Sequence, residues 1–274
     1  MHTIRNVIAL VLVLLAGSAA GPRDVLSRAK QLYNSAEYGD AVDAARDAAR
    51  TPELASAAQL VVARALLERF RAGGDMEDAA AARDALKQVK ASELAEDDRV
   101  ELTIALGESL YFDGQAGAAA EQFELALASR SAKLQPNDRR TAVRRERLLD
   151  WWATALDRQA QAAPEPAARA LQTRIVRRME EELRADMGAT VASYWLAAAA
   201  RSSGDIERAW DAAIAGWVRV SQLGARGSSA RGEIDALVTR AIIPERARSI
   251  SPGSPDSAAA NMRSQWEALK KAWS

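Results

Sequence analysis

From residue 23 onward, apolar residues recur at intervals of three and four and are interrupted at short intervals by Gly, Pro or Asp, the pattern of consecutive amphipathic helices. The clearest unit places Leu106, Gly107 and Leu110 on one helix face, breaks at Gly114, and places Ala119, Phe123 and Ala126 on one face of the next helix. Ala29, Leu32, Ala36, Tyr38, Ala41, Ala45 and Ala48 repeat that cadence near the start, closed by Pro52. A second copy runs through Leu66, Leu67 and Phe70, the Gly73-Gly74 turn, then Ala79 and Leu86, with polar Arg83 where a bulky residue is expected. A later copy contains Leu196, Ala197, Ala200, Gly204, Asp205, Ala209 and Ala213. Between them, 144–162 and 167–183 read as another helix pair, with Trp152 on its first helix and Ala168 at the crossing of its second. Strand-like alternation is hard to find, so the pattern predicts an all-α chain.

Local signals support these boundaries. Thr51-Pro52 and Ser254-Pro255 put a capping side chain before a proline suited to a first helical turn, and Asp75 can cap the helix after Gly74. Gly, Ser and Pro mark 222–229 and 249–257 as loops flanking two last helices, about 231–241 and 256–273. The final helix carries Met262, Trp266 and Leu269 on one face, Trp273 a turn further on, and Lys270 and Lys271 at the end where cations favour the helix dipole.

The large-small-large trio on a first helix, set against an Ala-aromatic-Ala series on a second, resembles the tetratricopeptide repeat. That resemblance implies a right-handed superhelix of antiparallel helix pairs over 21–220. The C-terminal helical segment, 221–274, is then expected to cap the open end of the array, or to join copies of the chain through Trp266 and Trp273. The crossing alanines Ala41, Ala79, Ala119, Ala168 and Ala209 lie 38, 40, 49 and 41 residues apart, longer than the repeat's usual period of about 34. Helices or loops are therefore expected to be extended. The resemblance also implies protein–protein interaction, with an unidentified protein or peptide held against the first helix of each pair. The slots that line that face are Lys30, Tyr33 and Asn34, then Glu68 and Arg71, then Glu108 and Tyr111, then Tyr194 and Arg201. Three tyrosines among polar groups suit peptide recognition, because tyrosine combines contact area with a hydroxyl at low entropic cost.

Composition narrows the chemistry. Alanine supplies much of the 49% apolar content and aromatics only 5%, which favours closely packed helices. The 37 basic residues are matched by 37 acidic ones, so no net charge recommends nucleic acid or an anionic membrane as partner. Residues 1–20 read as a secretory signal, with Arg5, an apolar run from Val7 to Ala16, and small residues Ser18-Ala19-Ala20 for cleavage near Gly21. A run of that length is about half what a spanning helix needs, so a cleaved signal is expected ahead of a retained anchor, and no other stretch could span a bilayer. The expected location is periplasmic or secreted. With no Cys there is no disulfide, no thiolate chemistry and no lipid-anchoring cysteine, and the only histidine, His2, lies within the signal.

Nucleophile-histidine triads, histidine-based acid-base catalysis and the usual zinc sites are thereby excluded from the processed chain, and no cofactor is expected. Glu108-Ser109 resembles the glutamate-serine pair of lytic transglycosylases, but the glycine and glutamine motif that follows in that family is missing. Acidic groups such as Asp75, Glu77 and Asp78, or Glu180 to Glu182, lack a Gly-centred calcium loop, and Gly204, Gly216, Gly224 and Gly227 lack the spacing of a phosphate loop. The chain therefore reads as a binding protein, the alternative being a carboxylate-dependent enzyme acting on envelope glycans. Trp210 and Trp217 are expected in the core. Trp151 and Trp152 point about 100° apart on a helix, so only one should face the core fully, leaving the other as a surface anchor.

Overall fold

The computed structural model describes residues 21–131, 134–135 and 139–273; the expected signal, residues 1–20, lies outside them. Among the described residues the chain is all helical, with no strand. In order the helices are α1 (Pro22–Asn34), α2 (Tyr38–Ala48), α3 (Ala55–Gly73), α4 (Met76–Lys87), α5 (Glu96–Phe112), α6 (Ala116–Ala128), α7 (Arg139–Gln161) and α8 (Glu165–Ala185). They continue as α9 (Thr190–Ser202), α10 (Ile206–Ser221), α11 (Ser228–Leu237), α12 (Ile243–Ile250) and α13 (Pro255–Trp273). Each helix from α1 to α10 packs on the next, and α1 on α3, α3 on α5, α7 on α9 and α9 on α11 also touch. Odd-numbered helices thus form a shared layer, and the even-numbered ones α2 to α10 lie outside it.

The pairs close through backbone geometry that repeats. In three turns the residue after the bend donates its N–H five residues back: Glu37 to Leu32 (3.0 Å), Gln115 to Leu110 (2.8 Å) and Asp205 to Ala200 (3.0 Å). The preceding residue sits in the left-handed region each time, as Gly114 at φ 78° and Gly204 at φ 88°, but as Ala36 at φ 61° in the first turn. Ala36 is therefore a turn residue rather than a member of the first helix pattern, and it holds a conformation that disfavours a Cβ.

Small residues let the helices of a pair approach. A Cβ built on Gly107 of α5 would lie 2.5 Å from Phe123 Cε1 on α6, so the phenyl ring occupies the space a side chain would take. Ala41, Ala119, Ala209 and Ala213 are fully buried at the corresponding crossings. In the second pair the crossing slips by one position. Ala82 is fully buried while Arg83 turns outward to Asp113 (2.9 Å), because an ionised side chain is costly to bury unpaired. In the fourth pair Ala168 is only half-buried, and α8 packs instead through Gln172, Ile175, Val176 and Met179 further along. Asp75 caps α4 as expected, accepting from the Glu77 amide at 2.9 Å. Thr51 makes no side-chain cap, and Pro52 opens a short 3-10 turn, Pro52–Leu54.

Apolar packing forms two clusters that meet at α5. One joins α1 to α5, including Leu102 and Ala105; the other takes Val100 from α5 and runs through α6 to α13. Helices α11 to α13 share that second core with α6 to α10. Trp266 is buried there, its ring 5.4 Å from Trp217 and 6.2 Å from Trp210, with its Nε1 donating to Asp235 (2.7 Å). Trp273, about two turns further along α13, is exposed. The helix expected over 231–241 is longer than the sequence suggested. It begins at Ser228 and runs through a π-helical turn, Val238–Ile242, to Ile250, so the loop expected at 249–257 shrinks to 251–254. Pro244 explains the π turn: it has no N–H to donate and its ring crowds the carbonyl four residues back. The Ile243 amide bonds five residues back to Val238, which widens the helix ahead of the proline. No described helix is long and apolar enough to cross a membrane.

Candidate partner-binding face

The odd-helix layer gathers ionised side chains from α1, α3, α5 and α7. Glu68 of α3 is buried, and two guanidiniums hold it: Arg71, one turn on (Nε 2.9 Å), and Arg147 of α7 (2.5 Å). Glu101 of α5 is held the same way, by Arg64 of α3 (2.9 Å) and Arg144 of α7. A buried carboxylate is tolerable only when donors replace its hydration, and two arginine forks each supply several N–H groups. The same solution recurs at Glu182, which accepts from Arg145 (2.8 Å) and Arg178 (2.9 Å). These pairs connect helices up to 79 residues apart in sequence.

Glu108 breaks this rule. It lies two turns beyond Glu101 on α5, half-buried, with no hydrogen bond or ion pair among the described residues. Burial first, and then the neighbouring charge of Glu68, push its carboxyl up to about 7, while Arg147, Arg64 and Arg71 pull the other way. Tyr33 of α1 lies under the Arg64 guanidinium, 4.2 Å from its ring centroid, and burial raises its hydroxyl above the usual tyrosine value. Lys30, one turn earlier, reaches Asp98 of α5 at 2.9 Å.

The structure therefore brings together Tyr33, Glu68, Arg71 and Glu108, with Lys30 close along α1. Asn34 is exposed at the end of α1. Tyr111 continues the α5 face but packs edge-on against Trp151 (5.1 Å, 78°) and under Arg158 (5.1 Å). Tyr194 and Arg201 belong to a separate neighbourhood. Tyr194 packs against Trp195, and Arg201 is held by Glu245 of α12 (2.9 and 3.0 Å). Of the adjacent tryptophans only Trp152 is fully buried, as expected, while half-buried Trp151 is no free surface anchor but is wedged against Tyr111, Phe112 and Phe123.

Sequence reasoning missed Arg64, Glu101, Arg144 and Arg147. Arg64, Glu68 and Arg71 follow one another at helical spacings of four and three, as Glu101 and Glu108 do at seven, so face-mapping extended by a turn finds the first two. The α7 arginines needed the α5–α7 packing, which no local spacing shows. Among the described residues no cluster of three carboxylates is placed to hold a metal ion. Neither a protein-family model nor a curated protein matches the chain.

Proposed function

We propose that this chain is a tetratricopeptide-like scaffold of the bacterial cell envelope whose odd-helix face, wound as a right-handed superhelix, holds an acidic segment of a partner protein. One observation carries the reading: the charges on this face are layered. The carboxylates lie underneath, Glu68 and Glu101 retaining 4% and 3% of their side-chain exposure, while Arg71, Arg147, Arg144 and Lys30 retain 47%, 49%, 35% and 42%. A partner meets cations, already oriented by the acids behind them, so less side-chain freedom is lost when it binds. Tyr33 and Tyr111 add half-buried aromatic surface beside them. A photocrosslinking residue placed at Asn34 or Arg71 should form adducts with acid-rich segments in the native envelope, and one at Asp43 on the outer helix α2 should not. Equal labelling from both faces would overturn the assignment.

A second reading rests on Glu108. A carboxyl pushed up to about 7 is suited to donate a proton near neutral pH, as an enzyme acting on glycans requires. Loss of a glycan-cleaving activity in Glu108→Gln with an unchanged melting temperature would favour it, and absence of any such activity in the unaltered protein would remove it.

A further inference from the structure

The outer side of the molecule carries a separate cleft of about 640 Å³ between α6 and α8, floored by α7. Its lining is mostly one face of α8: Arg169, Thr173 and Arg177 follow at intervals of four, and Arg174 and Arg178 form the adjacent row. Glu124 of α6 and Trp152 of α7 close the floor, where Trp152 Nε1 donates to Glu124 at 3.0 Å and Arg174 reaches the same carboxylate. The arginines differ in what already holds them. Arg174 also meets Glu121 (3.4 Å) and Arg178 is fixed by Glu182 (2.9 Å), so both are anchored from behind. Arg169 has only exposed Glu165 (2.5 Å), and Arg177 has no ion pair among the described residues.

Four guanidiniums face two carboxylates here, Glu124 and Glu181, and Glu124 is already engaged. A guanidinium offers five N–H donors in a planar fork, so an anchored arginine retains donors for a second acceptor. Pro166 and Ala170 supply apolar surface beside them, and the buried Trp152 ring lies beneath the Arg174 guanidinium (5.8 Å). The volume falls within the range of about 300 to 1,000 Å³ typical of small-molecule sites. We infer that this cleft binds a small organic anion, a carboxylate or phosphate carried on a flat apolar body, met by Arg177, which has no ion pair among the described residues, and by Arg169, which only exposed Glu165 holds. The site is on the opposite layer from the partner-binding face and does not depend on it.

The test is isothermal titration of the protein with phenyl phosphate, benzoate, inorganic phosphate and benzyl alcohol. The expected result is binding of at least one aromatic anion, with phenyl phosphate and benzoate distinguishing the two oxyanion sources. Affinity should fall about fivefold or more in an Arg169→Gln, Arg177→Gln double variant. Both residues are surface-exposed and hold no buried acid, so the variant should keep its melting temperature, and Arg46→Gln on α2 should bind as the unaltered protein does. Equal binding by the double variant, equal binding of benzyl alcohol, binding of inorganic phosphate as tight as that of the aromatic anions, or no heat from any probe at about 5 mM would each overturn the assignment.

Discussion

Phe123 of α6 lies across the backbone of Gly107 of α5, with three ring carbons within 3.0 Å of where a Cβ would stand. The helix pair is built on that missing side chain, since the ring is fully buried and has no free space to move into. Gly107→Ala should therefore destabilise the protein by about 1 to 3 kcal/mol despite the better helix propensity of alanine. Gly39 on α2 has nothing within 4 Å of its Cβ position, so Gly39→Ala should be neutral or stabilising by up to about 1 kcal/mol. Urea denaturation of the two variants separates close packing from propensity.

The crossing alanines give a related expectation. Leucine at Ala119 or Ala209, both fully buried, should cost about 1 to 3 kcal/mol through overpacking. Leucine at exposed Ala128 should leave the melting temperature nearly unchanged. Three equal melting temperatures would contradict the assigned crossings.

Ala36 occupies the position that glycine fills in two equivalent turns. A left-handed backbone costs a residue with a Cβ about 1 to 2 kcal/mol, and glycine loses part of that advantage through its greater freedom in the unfolded chain. Ala36→Gly should thus stabilise the protein by about 0.5 to 1 kcal/mol, read from the same denaturation curves.

These elements show what could be read in advance. The helices were legible because alanine-rich stripes are punctuated by Gly and Pro, and the Gly114 and Gly204 turns fall where that punctuation stands. The full length of the helix that begins at Ser228 was not legible, because a π turn absorbs Pro244, and Arg83 did not mark the crossing because buried Ala82 takes it and leaves the charge outside. Half of the charged face was legible for the same reason as the helices: Glu68, Arg71 and Glu108 repeat on helical spacing. The other half was not, because Arg144 and Arg147 approach from α7, and local periodicity carries no information about a partner 79 residues away.

Glu108 makes stability depend on pH. Its ordinary value is about 4.5 and its folded value about 7, so between these the folded protein holds a proton that the unfolded chain has released. The stability that proton contributes is complete below about 4.5 and is lost as pH rises through about 7. The loss is bounded at about 3 kcal/mol. Glu68, Arg147, Arg64 and Arg71 are the groups whose fields it feels. Denaturation midpoints from pH 5 to pH 8, compared with those of Glu108→Gln, should show this slope flattened in the variant; parallel curves would contradict it.

The most direct test of the central claim is fluorescence anisotropy with three labelled peptides of equal length, acidic, basic and neutral. Arg144→Gln and Arg147→Gln together remove one half-buried and one exposed cation yet leave Glu101 with Arg64 and Glu68 with Arg71, so each buried acid keeps one of its two partners. The account predicts that the acidic peptide binds, that added salt weakens it, and that the double variant binds it about fivefold or more weakly at a temperature where both proteins remain folded. Preference for the basic or neutral peptide, or equal affinity of the double variant for the acidic one, would contradict it.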